Sequence, residues 1–418
     1  MLGNGALQPS KRKARIVKLL RDFLGFVVAG MLCVPTAQGQ DVVRIGAVLP
    51  VTGTESKIGS AYKQATEFAV KEVNDAGGVQ LGAKKVKIEL TLLDDTSDAA
   101  KSAQLVEQLI TQTKVHAVIG GYGSQLVQAQ SVVPERYSIP YVSGGAGATS
   151  IYGRSKWVFG TLSPVEHLAS TQMDFLQDLV AVGKLKAPLS IALITEQTEH
   201  GNDYAKGVKD YVAAHAGKWT VPLEQKFELN AADFQPLLAR VQAAKADLFM
   251  ADAHLQDFVT MQRKYTQMAL HNQMITYGAR GADESARKAL GAATDYIFAS
   301  GWWSDLLPYP QVKAFNARYK AGTGVAPQWY HAMAYETVRA LVVAIEHAGS
   351  LDPEKIRAAL VALRLTDSIV PGGVLFFTKT GQADLPFVET QNKPGGKVDL
   401  VWPKVDKTGE PIAPIPWN

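Results

Sequence analysis

Val42-Val43-Arg44-Ile45-Gly46-Ala47-Val48-Leu49, stopped by Pro50 and the Thr52-Gly53 turn, is the stretch whose reading decides the fold. It is apolar on nearly every position, the pattern of a strand covered on both faces rather than on one. A helical pattern follows, with Ala61, Ala65, Phe68, Ala69 and Val73 on one face and Gly77-Gly78 closing it. The alternation then repeats. Strand Val86 to Leu93, helix Ala99 to Lys114, strand Ala117 to Ile119, helix Gln125 to Tyr137 and strand Ile139 to Val142 are predicted in turn. Strands separated by helices of this length predict right-handed βαβ units on a parallel sheet.

The pattern restarts after Pro164. Helix Val165 to Val182, strand Ser190 to Thr195, helix Gly201 to His215, strand Asp247 to Met250, helix Leu255 to Met268 and strand Met274 to Tyr277 make a second series. Two consecutive series predict two similar α/β lobes rather than one large sheet. Ligands of open α/β sheets bind beyond the carboxyl ends of the strands, so two facing lobes place a cleft between their loops.

The segment ahead of the first strand reads as a leader. Lys11, Arg12, Lys13, Arg15 and Lys18 form a basic start, Phe23 to Val34 is a short apolar run, and Ala37-Gln38-Gly39 carries the small residues a signal peptidase reads. The run is shorter than the ~20 residues of a membrane helix, and Leu32 ahead of Cys33 departs from a lipobox. Residues 1–39 are therefore expected to be removed, with cleavage before Gln40 and no stable membrane insertion. The leader's net +5, taken from the chain's +4, leaves −1, so the basic balance argues for no nucleic-acid partner. Cys33 is the only cysteine. A mature chain without disulfides must be held by its core, and about 380 residues at 47 % apolar composition suffice for two lobes.

Catalytic and metal signatures are missing. Gly121-Tyr122-Gly123-Ser124 lacks the last glycine of a nucleophile elbow, and Gly145-Ala146-Gly147 meets Ser150 where a dinucleotide motif has its third glycine. The eight histidines are scattered. Glu196, Glu199, His200 and Asp203 lie close in sequence, but a polar loop opening a helix explains them better than a cation does. Asp94-Asp95 is expected to cap the following helix. No cofactor, metal or enzymatic activity is expected. Two glycine-rich turns suit an anion instead. Gly120 to Ser124 lies between strand and helix, with Ser124 expected at the N-cap, and Ser143 to Thr149 follows the next strand. Both also fit ordinary βα turns.

Read together, these segments resemble the type I periplasmic binding proteins of the branched-chain amino-acid and amide family. The resemblance rests on Val48-Leu49-Pro50-Val51-Thr52-Gly53, Glu72-Val73-Asn74-Asp75-Ala76-Gly77-Gly78-Val79, Asp94-Asp95, Val118-Ile119-Gly120-Gly121 with Ser124, and Tyr330-His331-Ala332. It implies two Rossmann-like lobes joined by a three-stranded hinge, with crossings near Phe159 to Leu162, Ser300 to Trp302 and Gly372 to Val374. Lobe one is then 41–160 plus 302–372, and lobe two 162–300 plus 374–418. It also implies a periplasmic monomer that captures a small molecule by hinge closure and delivers it to the permease subunits of an ABC importer. A ligand sensor docking to a separate partner stays open.

In the family, a serine in the first turn and backbone donors in the second grip a carboxylate; Ser124 and Gly145, Ala146 and Gly147 stand there. A threonine and an acid usually accept from the ligand's ammonium. Here Gly147 takes the threonine's position, with Thr149 two residues on, and the acid's loop reads Tyr277-Gly278-Ala279-Arg280-Gly281. An ammonium facing Arg280 would meet like charge. The expected ligand is therefore a carboxylate without an α-ammonium, with Arg280 forking onto it. Tyr122, His200, His254 and Trp302 are expected to line the cleft and to suit a planar or aromatic acid. A hydrophobic amino acid or small amide is the alternative.

Overall fold

Residues 1–3, 5 and 42–417 are described by a computed structural model; the leader assigned above lies outside the described residues apart from four of its positions. From Val42 onward the chain forms one compact unit. Strand β1 (Val43–Leu49) is buried at six of its seven positions, as its continuous apolar run requires, and leads into helix α1 (Ser56–Asp75). At the end of α1, Gly77 and Gly78 take positive φ and donate their N–H groups to Asn74 O and Val73 O. The hairpin β2 (Val79–Leu81) and β3 (Lys84–Val86) precedes β4 (Ile88–Asp94), so the single strand predicted from Val86 divides at Lys87.

Helix α2 (Ala99–Gln108) runs into a π turn at Leu109–Thr113. Its cap is Asp98, whose carboxylate accepts from Lys101 N at 2.7 Å. This corrects the expectation for Asp94-Asp95. Asp94 instead holds the loop after β1, accepting from Val51 N, Thr52 N and Thr52 Oγ1, while Asp95 accepts from Ser97 N and Ser102 Oγ. Strand β5 (Ala117–Tyr122), helix α3 (Ser124–Tyr137), β6 (Tyr141–Gly145) and β7 (Val158–Gly160) complete the first series. The sheet order is β4-β1-β5-β6-β7, parallel throughout.

The second series begins with α4 (Val165–Ala181), β8 (Leu189–Glu196) and α5 (Glu199–Ala214). Strand β9 (Trp219–Phe227), α6 (Gln235–Ala244), β10 (Leu248–Asp252), α7 (Leu255–Gln267), β11 (Met274–Tyr277), α8 (Glu284–Leu290) and β12 (Phe298–Gly301) follow. Helices α9 (Pro310–Thr323), α10 (Trp329–Ala348) and α11 (Pro353–Val361) come next, then the two-residue strands β13 (Arg364–Leu365) and β14 (Leu375–Phe376). The chain closes with β15 (Val388–Lys393) and β16 (Lys397–Trp402). The second sheet runs β16-β15-β12-β11-β10-β8-β9. It is parallel from β9 to β12, and β15 pairs antiparallel with β12; Gly395 and Gly396 at positive φ then turn β16 back antiparallel on β15. The fold is thus α/β with parallel sheets in two lobes.

Helix α10 packs across the first sheet, with Ala332, Met333, Ala334, Val338, Leu341 and Ile345 essentially inaccessible. Most of its residues are buried, Glu336 among them in an ion pair with Arg339, as expected of a helix covered on more than one side. Among the described residues no helix is long and apolar enough to cross a membrane.

Candidate functional site

The carboxyl ends of β5 and β6 face those of β8, β10 and β11 across a small cavity. Tyr122, Ser124, Gly145, Gly147, Trp302 and Trp329 line it together with Glu196, His200, Asp252, His254 and Arg280. The space left among them is about 20 Å³, room for little more than one water molecule.

Arg280 is the centre of the arrangement. It lies in the turn after β11 and is only 7 % exposed. Its Nη2 donates to the Tyr122 hydroxyl. Its guanidinium carbon stands 5.4 Å from the Tyr122 ring centre and 4.8 Å from that of Trp329. A desolvated cation between two aromatic faces gains up to about 2 kcal/mol from each. Burial works against its charge, yet Tyr122, Asp283, Glu55 and Asp252 around it hold the group above its ordinary pKa. Among the described residues it has no ion-pair partner, and Nη1 is buried without a hydrogen bond. An isolated buried cation is costly.

The remaining charges of the lining are paired. His254 Nδ1 lies 2.5 Å from Glu196 Oε2, which also accepts from His254 N at 3.1 Å. Both are buried. Although burial opposes either charge, mutual attraction raises the His254 pKa and lowers that of Glu196. The imidazole's far side looks across to Glu55 at 4.0 Å. His200 Nε2 stands 3.1 Å from Asp252 Oδ2, close enough for an ion pair but off the line of a good hydrogen bond, so Oδ2 stays without one. Burial again opposes the charge, and Asp252 with Glu196 outweighs it, raising the His200 pKa. Despite this crowding, no group of three or more His, Cys, Asp or Glu among the described residues is arranged to hold a metal ion.

The opposite wall supplies shape and hydroxyls rather than charge. Gly123, at φ +92°, is the N-cap of α3 and donates to Gly145 O at 3.0 Å. Ser124, expected at the cap, is instead the first helical residue, and its buried hydroxyl has no partner. The other glycines of these turns are packing positions. Gly121 N donates to Gln130 Oε1, and a Cβ on Gly120 would sit 2.1 Å from the Tyr141 hydroxyl. A Cβ on Gly147 would meet Val165 Cγ2 at 2.8 Å and Trp302 Cζ2 at 3.1 Å. The indole of Trp302 takes the space a threonine at position 147 would need.

Of the residues expected from sequence, Tyr122, Ser124, Gly145, Gly147, His200, His254, Arg280 and Trp302 are brought together, and two are not. Ala146 turns into the hydrophobic core beneath the first sheet. Thr149 gives its N–H and Oγ1 to Asp203 Oδ2, at 2.7 and 3.0 Å. Trp302 faces the cavity, donating Nε1 to Ser163 O at 3.0 Å, while Trp303 turns towards Phe315. Sequence reading missed Trp329, at the start of α10, and Asp252, at the end of β10, and set Glu196 aside as part of a polar loop. Strand-end position, the logic that found Ser124, also marks Asp252. No comparable signal marks Trp329.

A profile of the periplasmic binding proteins matches residues 42–397. The chain belongs to that family. This binding protein is similar to Leu/Ile/Val-binding protein homolog 8 of Brucella abortus, 27% identical over 374 residues that span 87% of the chain and 91% of the relative. Its fold is that of a leucine binding protein from Thermotoga maritima, at TM-score 0.76 and 21% identity over 86% of this chain and 98% of that one. It is likewise that of a solute binding protein of an ABC transporter from R. palustris in complex with benzoate, at TM-score 0.75 and 20% identity over 89% and 98% of the two chains. The architecture is thus the type I one of the branched-chain amino-acid-binding group.

Proposed function

We propose that this protein is the exported, periplasmic receptor of an ABC importer and captures a small carboxylate without an α-ammonium. Its two lobes, 41–160 plus 302–372 and 162–300 plus 374–418, close about three hinge crossings. Capture requires no covalent step. The observation that carries the reading is Arg280, buried, without an ion-pair partner and with Nη1 unsatisfied, in a lining whose other charges are paired. A carboxylate there completes the guanidinium's hydrogen bonds and receives the unpartnered Ser124 hydroxyl from the other wall. Tyr122, Trp302 and Trp329 offer ring faces to a planar body. The benzoate complex of the R. palustris protein is in keeping with this chemistry.

One observation favours a second ligand within the same function. Asp252 Oδ2 lacks a well-directed donor, and a hydrophobic amino acid could place its ammonium there, as the likeness to leucine-binding relatives invites. A thermal-shift panel separates the two, since a ligand that binds only the folded state raises the midpoint. It pairs each amino acid with its deaminated analogue and adds aromatic acids. The carboxylate reading expects shifts from deaminated or aromatic acids. A shift from leucine with none from any such acid would overturn it.

A further inference from the structure

A second cavity, about 250 Å³ in volume, adjoins the small one and shares Ala279 and Trp329 with it. Its walls come from the end of β12 and the Trp303 to Leu306 segment, from the start of α8, and from Gln328 ahead of α10. Most polar groups in those walls are already partnered: Ser300 Oγ donates to Glu389, Thr390 Oγ1 to Ala299 O, and Ser304 Oγ accepts from Leu306 N. Arg287 donates to Ala282 O and Gly396 O.

Two lining residues are exceptions. Trp303 is 4 % exposed and its Nε1 has no acceptor. Asp283 is 5 % exposed; its Oδ1 accepts from Ser285 N, Ser285 Oγ and Ala286 N, while Oδ2 accepts from nothing. Buried donors and acceptors rarely stay unsatisfied. One orphan donor and one orphan acceptor in a single lining suit a group that both accepts and donates, such as a hydroxyl or carboxamide. A second carboxylate would meet Asp283, and an ammonium would leave the indole N–H alone.

We propose that this cavity is the tail subsite of the ligand. The receptor then takes an elongated carboxylate whose acid end sits at Arg280 and whose body passes Trp329 to an uncharged, hydrogen-bonding end between Trp303 and Asp283. The proposal rests on the carboxylate reading above and extends it from the acid group to the whole molecule. The small cavity alone, at about 20 Å³, holds no ring.

The test is calorimetric titration with benzoate, 3-phenylpropanoate and 3-(4-hydroxyphenyl)propanoate. The hydroxylated probe is expected to bind on the order of tenfold more tightly than benzoate. Ala282→Phe, which fills the cavity, should abolish that advantage. Trp303→Phe keeps an aromatic ring at the position and removes the donor. It should weaken the hydroxylated probe several-fold without affecting 3-phenylpropanoate, and its unliganded melting temperature reports whether it folds. Equal affinities for the three probes, or an Ala282→Phe variant that still prefers the long one, would overturn the subsite alone. So would a loss confined to Ala289→Phe, which fills a different space at the cleft mouth lined by Glu55 and His254. Binding of none of the three would overturn the carboxylate reading and the subsite with it.

Discussion

The two walls of the cleft are built from the same strand-end loops and have divided their work differently. On the wall of Tyr122, Ser124 and Gly145 to Gly147, nearly every group is committed to the fold: Gly121 N to Gln130, Gly145 O to Gly123 N, and Gly147 to the indole of Trp302. On the wall of Glu196, His200, Asp252, His254 and Arg280, every residue is charged or ionisable, and one cation is left over. Family resemblance placed the carboxylate grip on the first wall. The geometry gives that wall shape and a single available hydroxyl, and gives the second wall the charge. On the proposed reading, the choice between an acid and an amino acid would rest on the second, charged wall.

Breaking the charged wall should have the largest effect. Arg280→Ala is expected to weaken carboxylate binding by about 2–3 kcal/mol, read by calorimetric titration, and an unchanged Kd would remove Arg280 from the site. Restoring the threonine on the shaped wall comes next. Gly147→Thr drives a Cβ into Val165 and Trp302 and should cost about 1–3 kcal/mol of stability, measured by denaturant unfolding. A neutral result would show that Trp302 can vacate the space.

The pH dependence sharpens the contrast further. The His254 pKa is raised to about 9 from 6.5 and that of Glu196 is lowered to about 2 from 4.5. Their shared contribution is therefore complete between roughly pH 4.5 and 6.5. It is lost as pH rises through about 9, and also as pH falls through about 2. Between pH 7 and 9.5 the melting temperature should fall by about 2–4 °C more in the unaltered protein than in His254→Asn. Parallel curves would mean that the pair is uncharged. The smallest effect belongs to Ser124→Ala, with affinity lower by about 1 kcal/mol and stability unchanged, because the hydroxyl has no internal partner. A loss of stability without loss of affinity would reverse its role.

Much of the fold was legible because it rests on periodicity. Strands β1, β5, β8, β10 and β11 are short apolar runs between helices, and all stand where the pattern predicts them. Strand β9 was missed because Thr220, Pro222 and Lys226 on its outer face break the continuous apolar run that marks the other strands. The antiparallel β15 and β16 were missed because Glu389, Gln391, Asn392 and Lys393 are polar yet buried through side-chain hydrogen bonds no periodicity reveals. In the site, strand-end position and the family resemblance together found much of the lining but could not say which groups were already partnered. Thr149 looked like a displaced ligand residue, and its bond to Asp203, 54 positions away, appears only in three dimensions. The Glu196–His254 pair, 58 positions apart, was hidden for the same reason.

Whether Arg280 reads a carboxylate is decided by a double-difference titration. An aromatic acid that binds and its primary amide are each titrated into the unaltered protein and into Arg280→Ala. The acid's preference over the amide is expected to fall by about 1.5 kcal/mol or more on removing the guanidinium. An equal preference in both proteins would contradict it.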